Sequence, residues 1–166
     1  MKKLLFTMLL FTLTSISAMA QEQLKKVYDE NIDRMEQIDN ALAKANKEGK
    51  FVICQVGGNW CPWCLRFADL VSKDADLAKI ISDNYVYTHV NLSRKTKGTK
   101  DDGAVKKRLG NPARFGLPVF VILNSDGSVL HIQDSSYLEE GQGYSKEKIA
   151  GFLKNWTPSA VAITEE

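Results

Sequence analysis

Cysteine and histidine are scarce in this chain of 166 residues, which has three cysteines and two histidines. Three cysteines are too few for the disulfide framework of a small secreted domain, and an odd number leaves one unpaired. A zinc site built on Cys61 and Cys64 would need a second pair of ligands, and His89 and His131 are far apart in sequence. A disulfide scaffold is therefore excluded. A structural zinc site is disfavoured, although a metal carrier using the cysteine pair stays open.

The chain also lacks a strong net charge and the common cofactor motifs. Its formal net charge is +2, from 22 basic and 20 acidic residues, so we expect no nucleic-acid partner. It contains no glycine-rich nucleotide fingerprint, and Leu65 after Cys64 rules out a c-type haem attachment site. We therefore predict no bound cofactor and no resident metal.

The first twenty residues have the order of a secretory signal. Lys2 and Lys3 precede an apolar run that begins at Leu4, and Ala18-Met19-Ala20 places small residues before a cleavage point. The run is shorter than the ~20 residues that span a bilayer. We predict that residues 1–20 are removed during export to the periplasm or another extracytoplasmic compartment, without stable membrane insertion.

The rest of the chain alternates between helical and strand patterns. Apolar residues recur at three- and four-residue steps in the helical segments, whereas the strand segments are β-branched and aromatic. The predicted elements are a helical extension (21–48), a strand (51–56), a helix after Gly57-Gly58 that carries the apolar residues from Leu65 to Val71, a second short helix (about 76–82), a strand (85–92), a polar loop (93–103), a helix (104–109), a hairpin turning at Asp126-Gly127, a loop (135–145) and a closing helix (to 156).

This order predicts an α/β fold with one mixed central β-sheet and helices on both faces. Two strands with a helix between them are normally parallel neighbours, and the hairpin adds an antiparallel pair. We expect one domain, 21–157, with the N-terminal helical extension 21–48 included and a flexible tail at 158–166.

The cysteines of Trp60-Cys61-Pro62-Trp63-Cys64 fall where the first strand passes into its helix. A helix N-terminus favours an anion, and thiolates there have pKa values lowered from ~8.5. Pro62 suits the first helical turn because it has no N–H. We predict that Cys61 attacks a substrate disulfide and that the more buried Cys64 resolves the mixed disulfide. In this interpretation Trp60 and Trp63 cover the sulfurs and contact the substrate polypeptide.

Two other interpretations of the pair stay open. An inert bridge is disfavoured because closing a four-residue loop removes little unfolded-state entropy. A client-binding or chaperone module would carry the same motif with incidental redox activity. The third cysteine, Cys54, is expected to be a buried strand residue.

The motif W-C-P-W-C after a buried strand, together with Gly116-Leu117-Pro118-Val119 before a hairpin, resembles the thioredoxin superfamily. The similarity covers about residues 40–156 and implies a thioredoxin-like fold. It also implies a cis proline at Pro118 beside the cysteines, and a substrate-binding backbone at Leu117.

The sequence departs from this resemblance beneath the cysteines. Thioredoxins carry a buried acid six residues before the nucleophile, thought to manage the proton of the resolving cysteine. Gln55 occupies that position and cannot exchange a proton at neutral pH. His89 stands where many thioredoxins have a lysine, and its free pKa near 6.5 suggests a share in proton handling.

The leading prediction is an exported thiol–disulfide oxidoreductase that exchanges protein thiols and disulfides through the redox-active disulfide Cys61–Cys64. Reduction or isomerisation is favoured over primary oxidation. A reductase without a nucleotide or flavin motif needs electrons from another protein, for which we expect a membrane partner.

Overall fold

The computed structural model describes residues 24–92 and 100–162. The predicted signal peptide and residues 93–99 of the predicted polar loop lie outside these ranges. The described helices are α1 (Arg34–Glu48), α2 (Pro62–Lys73), α3 (Ala75–Asn84), α4 (Lys100–Arg108), α5 (Lys146–Asn155) and α6 (Pro158–Val161). The described strands are β1 (Phe51–Gly57), β2 (Tyr85–Asn91), β3 (Val119–Leu123), β4 (Val129–Asp134), β5 (Glu139–Glu140) and β6 (Gly143–Tyr144).

The central sheet has the strand order β2-β1-β3-β4. Strand β1 pairs in parallel with β2 and antiparallel with β3, and β3 pairs antiparallel with β4. The β3–β4 hairpin turns at Asp126-Gly127, and Gly127 has a φ of 84°, a conformation that glycine adopts without steric cost. The predicted mixed sheet is confirmed.

Helices cover both faces of this sheet because β1 alternates its side chains between two apolar cores. Val52, Cys54 and Val56 belong to the core under α1 and α4, whereas Ile53 belongs to the core under α2, α3 and α5. Because side chains along a strand point alternately to opposite faces, a strand with apolar residues at nearly every position needs cover on both sides. The predicted burial of Cys54 is confirmed, with 0% of the residue exposed.

The N-terminal helix begins later than the sequence predicted. Residues 24–33 have no helix, and α1 begins at Arg34. Asp33 caps it by accepting hydrogen bonds from the N–H groups of Met35 and Glu36, which satisfies donors that the first turn leaves open. The helix ends at Gly49 in the left-handed conformation (φ 65°). The preceding residues, 24–33, are instead bonded to the cysteine region through Val27 and Tyr28, whose N–H groups donate to Asn59.

Three further regions differ from the predicted element bounds. Helix α4 begins at Lys100, inside the predicted loop 93–103. The predicted loop 135–145 contains a 3₁₀ turn, Ser135–Leu138, and the short β5–β6 hairpin. One helical turn, α6, stands at the start of the predicted tail, with the Thr157 hydroxyl accepting from the Ala160 N–H.

Candidate active site

Cys61 and Cys64 form a disulfide at the N-terminus of α2, with their Cα atoms 5.3 Å apart. Cys61 is the N-cap residue, and its Sγ accepts a hydrogen bond from the Cys64 N–H at 3.2 Å. Pro62 occupies the first helical turn and is exposed. The Cys64 N–H and the positive end of the helix dipole are therefore in place to stabilise a thiolate on Cys61 after reduction.

The two sulfur-bearing residues differ in access. Cys61 is 6% exposed and Cys64 is 0% exposed. A substrate sulfur approaching from solvent therefore reaches Cys61 first, while Cys64 is accessible only from within the protein. This asymmetry suits a nucleophile and a resolving cysteine, which are the roles that the sequence predicted for them.

The loop before β3 lies against Cys61. The Leu117–Pro118 peptide bond is cis, the form that the family resemblance implied. The Leu117 carbonyl oxygen lies 3.9 Å from Cys61 Sγ. Pro118 is buried and Leu117 is half-buried beside the cysteines. The structure thus brings Leu117 and Pro118 to Cys61, and the binding of a substrate by the Leu117 backbone stays a prediction.

The two tryptophans differ in exposure. Trp60 is 40% exposed, and its indole N–H donates to the Leu92 carbonyl at 3.0 Å. Trp63 is half-buried, with its ring edge-on to Tyr144 and the Arg66 guanidinium 5.1 Å from its centroid. Trp60 therefore offers the larger open aromatic surface next to Cys61.

A buried polar network lies beneath Cys64. Gln55 is 0% exposed, and its Nε2 donates to the Cys64 carbonyl at 2.8 Å and to the Tyr28 hydroxyl at 2.6 Å. Its Oε1 accepts a hydrogen bond from the Tyr87 hydroxyl. Every polar atom of the Gln55 side chain is thus bonded, which removes the cost of burying it. Gln55 ties the start of α2 to two tyrosines.

His89 lies beside this network, against its two tyrosines. Its ring is edge-on to the rings of Tyr28 and Tyr87, with centroid distances of 5.2 and 4.9 Å. Burial lowers the pKa of His89 to about 4, so the imidazole is neutral at neutral pH. Its Nε2 has no hydrogen-bond partner among the described residues. A role for His89 in proton handling stays a prediction that these contacts do not support.

A profile of the thioredoxin-like domain matches residues 38–140, which include β1, the cysteine pair and the cis proline. This chain belongs to the thioredoxin-like family. None of the curated proteins matches it.

Solved structures with the same fold include a disulphide isomerase from Xylella fastidiosa Temecula1. It is 24% identical, with a TM-score of 0.66, and the match covers 80% of this chain and 98% of that one. A DsbH oxidoreductase is 17% identical, with a TM-score of 0.51 and coverage of 76% and 82%. A thioredoxin from Thermus thermophilus is 19% identical, with a TM-score of 0.51 and coverage of 70% and 81%. These likenesses establish the fold.

Three site residues of this thioredoxin-like protein were missed by the sequence analysis. Asn59 binds the segment before α1, Tyr28 contacts Gln55 from that segment, and Tyr87 contacts Gln55 from β2. The pairing of β1 with β2 could have predicted Tyr87, because a buried glutamine on β1 needs polar partners and the neighbouring strand is the nearest source of them. No local pattern connects Tyr28 to Gln55, which is 27 residues away in the chain.

Two further observations on the described residues concern metal binding and membrane spans. Within 24–92 and 100–162, no group of three or more histidine, cysteine, aspartate or glutamate side chains is placed to hold a metal ion. In the same part of the chain, no helix has the length and apolar character needed to cross a membrane.

Proposed function

We propose that this thioredoxin-like protein is a thiol–disulfide oxidoreductase that acts on the cysteines of other proteins. The observation that carries the proposal is the asymmetric pair at the start of α2. Cys61 has a backbone N–H donor at its sulfur and is the only member of the pair with any exposure. The loop with the cis bond before Pro118 places the Leu117 carbonyl 3.9 Å from Cys61 Sγ, and the exposed Trp60 directly precedes Cys61.

In the proposed reaction, the Cys61 thiolate attacks one sulfur of a substrate disulfide. A bond forms between Cys61 Sγ and that sulfur, and the other substrate sulfur leaves as a thiolate that takes a proton. The Cys64 thiolate then attacks Cys61 Sγ, which restores the Cys61–Cys64 disulfide and releases the second substrate thiolate. The protein loses two electrons and the substrate disulfide gains them.

We further propose that the protein works outside the cytoplasm as a reductase or isomerase. The N-terminal pattern Lys2-Lys3 followed by an apolar run and Ala18-Met19-Ala20 supports export. The disulphide isomerase among the structures of the same fold supports an exchange role. Net reduction in an oxidising compartment needs a continuing supply of electrons, for which we propose a membrane donor.

Mixed-disulfide trapping tests the proposal. A Cys64→Ser variant should attack a disulfide-bonded model protein and accumulate as a covalent complex through Cys61, because no thiol remains to resolve it. A Cys61→Ser variant is the matched control and should form no complex. The complex is measured on a non-reducing gel and assigned by mass spectrometry of the linked peptides. Equal capture by both variants, or capture by neither, would contradict thiol–disulfide exchange through Cys61.

A further inference from the structure

Asn59 bonds residues 24–33, the segment before α1, to the cysteine region through three hydrogen bonds to Val27 and Tyr28. Asn59 Oδ1 accepts from the N–H groups of Val27 and Tyr28 at 3.1 and 3.0 Å, and Asn59 Nδ2 donates to the Tyr28 carbonyl at 2.8 Å. Asn59 is two residues before Cys61 in the chain. The Tyr28 side chain is consequently fixed in the apolar cluster that contains Cys61 and Cys64, and it is 5% exposed.

The orientation of the Gln55 amide determines whether the Tyr28 hydroxyl donates or accepts its hydrogen bond with Gln55. The Cys64 carbonyl can only accept, so the Gln55 atom facing it is Nε2, and the same Nε2 donates to the Tyr28 oxygen. The Tyr87 hydroxyl donates to the opposite end of the amide. Tyr28 is thus an acceptor towards Gln55, and its own hydroxyl proton remains available for another acceptor.

The sulfur of Cys64 is a candidate acceptor, because it lies with the Tyr28 hydroxyl on the same side of Gly57. A Cβ atom at Gly57 would lie 2.5 Å from Cys64 Sγ and 2.6 Å from the Tyr28 hydroxyl oxygen. Cys64 Sγ and the Tyr28 hydroxyl oxygen are therefore at most about 5.1 Å apart, because both distances start from the same Cβ position at Gly57. In the disulfide form Cys64 Sγ carries no charge and needs no donor. After reduction it is a thiol or a thiolate, and a thiolate buried in this cluster needs one.

We propose that Tyr28 is a further catalytic residue, which donates a hydrogen bond to the Cys64 thiolate when Cys64 resolves the mixed disulfide. The proposal rests on the roles proposed above for Cys61 and Cys64. In that step the Cys64 thiolate attacks Cys61 Sγ, the bond from Cys61 to the substrate sulfur breaks, and the substrate thiolate takes up a proton equivalent to the one Cys64 released. Tyr28 keeps its own proton throughout.

This arrangement compensates in part for the missing acid at Gln55. A carboxylate at that position can accept the proton of the resolving cysteine, and an amide cannot. Burial raises the pKa of Tyr28 above its usual value, so the phenol is neutral at physiological pH and acts as a donor and not as a base. It therefore stabilises the Cys64 thiolate after the thiol proton has passed to solvent, and it does not itself accept that proton. The donor comes from outside residues 38–140, the part of the chain that matches the family.

Reaction of the reduced full-length protein with a small aromatic disulfide, dithiobis-nitrobenzoate, tests the inference. Attack by Cys61 releases one coloured thiolate, and resolution by Cys64 releases a second. In a Tyr28→Phe variant, we expect the second release to slow about tenfold at pH 7 and its pH midpoint to rise by about one unit, which is the effect of losing one hydrogen bond to a charged group. The first release should be unchanged.

A Tyr85→Phe variant is the matched control. Tyr85 is 3% exposed and its hydroxyl donates to the Leu153 carbonyl, so the change removes a buried hydroxyl that bonds α5 and not the Gln55 network. Its second release should match that of the unmodified protein. An identical second-phase pH profile for Tyr28→Phe and the unmodified protein would overturn the inference. Equal slowing of both phases would also overturn it, because it would indicate structural damage. Absence of a second release from the unmodified protein would instead contradict the proposed function.

Discussion

The two sides of the Cys61–Cys64 disulfide are built differently. The outer side has the exposed Trp60 and the Leu117–Pro118 loop, all within the part of the chain that matches the thioredoxin-like family. The inner side has Gln55 bonded to tyrosine hydroxyls and to the Cys64 carbonyl. The outer side lies wholly within residues 38–140, whereas the inner side adds Tyr28, from before that range, to Gln55 and Tyr87. The two cysteines therefore have different surroundings, exposed ones for Cys61 and buried polar ones for Cys64.

Alanine substitutions at Gly57 and Gly58 perturb the inner and the outer side separately. The substitution at Gly57 should have the largest effect on the free energy of unfolding. A Cβ at Gly57 meets Cys64 Sγ and the Tyr28 oxygen within 2.6 Å, and both are held in place. A Cβ at Gly58 meets Trp60 Nε1 at 2.5 Å, and the Trp60 side chain is 40% exposed, in contrast to the buried Cys64 and Tyr28. We expect Gly57→Ala to lower the free energy of unfolding by about 2–3 kcal/mol.

Gly58→Ala is the control on the outer side. It should cost about 1 kcal/mol, roughly the worth of the hydrogen bond from Trp60 to the Leu92 carbonyl. Both values are measured by urea unfolding of the oxidised protein. Equal costs for the two variants would contradict the expectation that the inner side accommodates an added Cβ less readily than the outer side.

A fall in pH should lower the free energy of unfolding, because the half-buried His89 lies on the inner side and resists protonation. Burial lowers the pKa of His89 to about 4 in the folded protein, whereas an unfolded chain titrates near 6.5. Between these two pKa values the unfolded state binds more protons than the folded state. The contribution of His89 to the free energy of unfolding is therefore complete above pH 6.5 and is lost as the pH falls towards 4. We expect a loss of about 2 kcal/mol, allowing for partial exposure of the ring.

A His89→Asn variant isolates this contribution, because other groups titrate alike in both proteins. The difference in unfolding free energy between them should change by about 2 kcal/mol from pH 7 to pH 4. A constant difference would mean that His89 titrates normally. The same variant tests the hypothesis of proton handling by His89, since an unchanged pH–rate profile for disulfide exchange would remove it.

Loss of Trp60 should affect the outer side alone, with the smallest free-energy effect. In Trp60→Ala, we expect reduction of a protein disulfide to slow about fivefold, because an exposed aromatic anchor is lost. Reduction of oxidised glutathione should change less than about twofold, since a small disulfide does not need that surface. The measurement is the ratio of the two second-order rates. An unchanged ratio would show that Trp60 does not contact protein substrates.

The sequence predicted what depends on local pattern. Strand β1, the start of α2 at Pro62 and the hairpin at Asp126-Gly127 follow from apolar spacing and turn residues, and the structure has all three. The sequence missed what depends on distant pairing. The first turns of the predicted extension are not helical because the N–H groups of Val27 and Tyr28 bond to Asn59, a contact that no helical periodicity reports.

Gln55 illustrates the same limit within the site. The sequence marked it as a departure from the family's buried acid, and the expected compensating group was His89. The structure instead bonds Gln55 to Tyr28 and Tyr87. A missing acid can be recognised from one position in the motif, whereas the group that replaces it depends on which side chains the fold brings close.

The central claim is that Cys61 and Cys64 form a reversible redox couple for exchange with other proteins. The most direct measurement is an equilibrium titration of the full-length protein against glutathione redox buffers, followed by thiol labelling. We predict one two-electron transition of Cys61 and Cys64, between about −270 and −180 mV, the range of thioredoxin and disulfide isomerase. Cys54, whose pKa burial raises to about 12, should stay unlabelled in the folded protein. A transition near −120 mV would reverse the proposed direction, and the absence of any reversible transition would contradict the account.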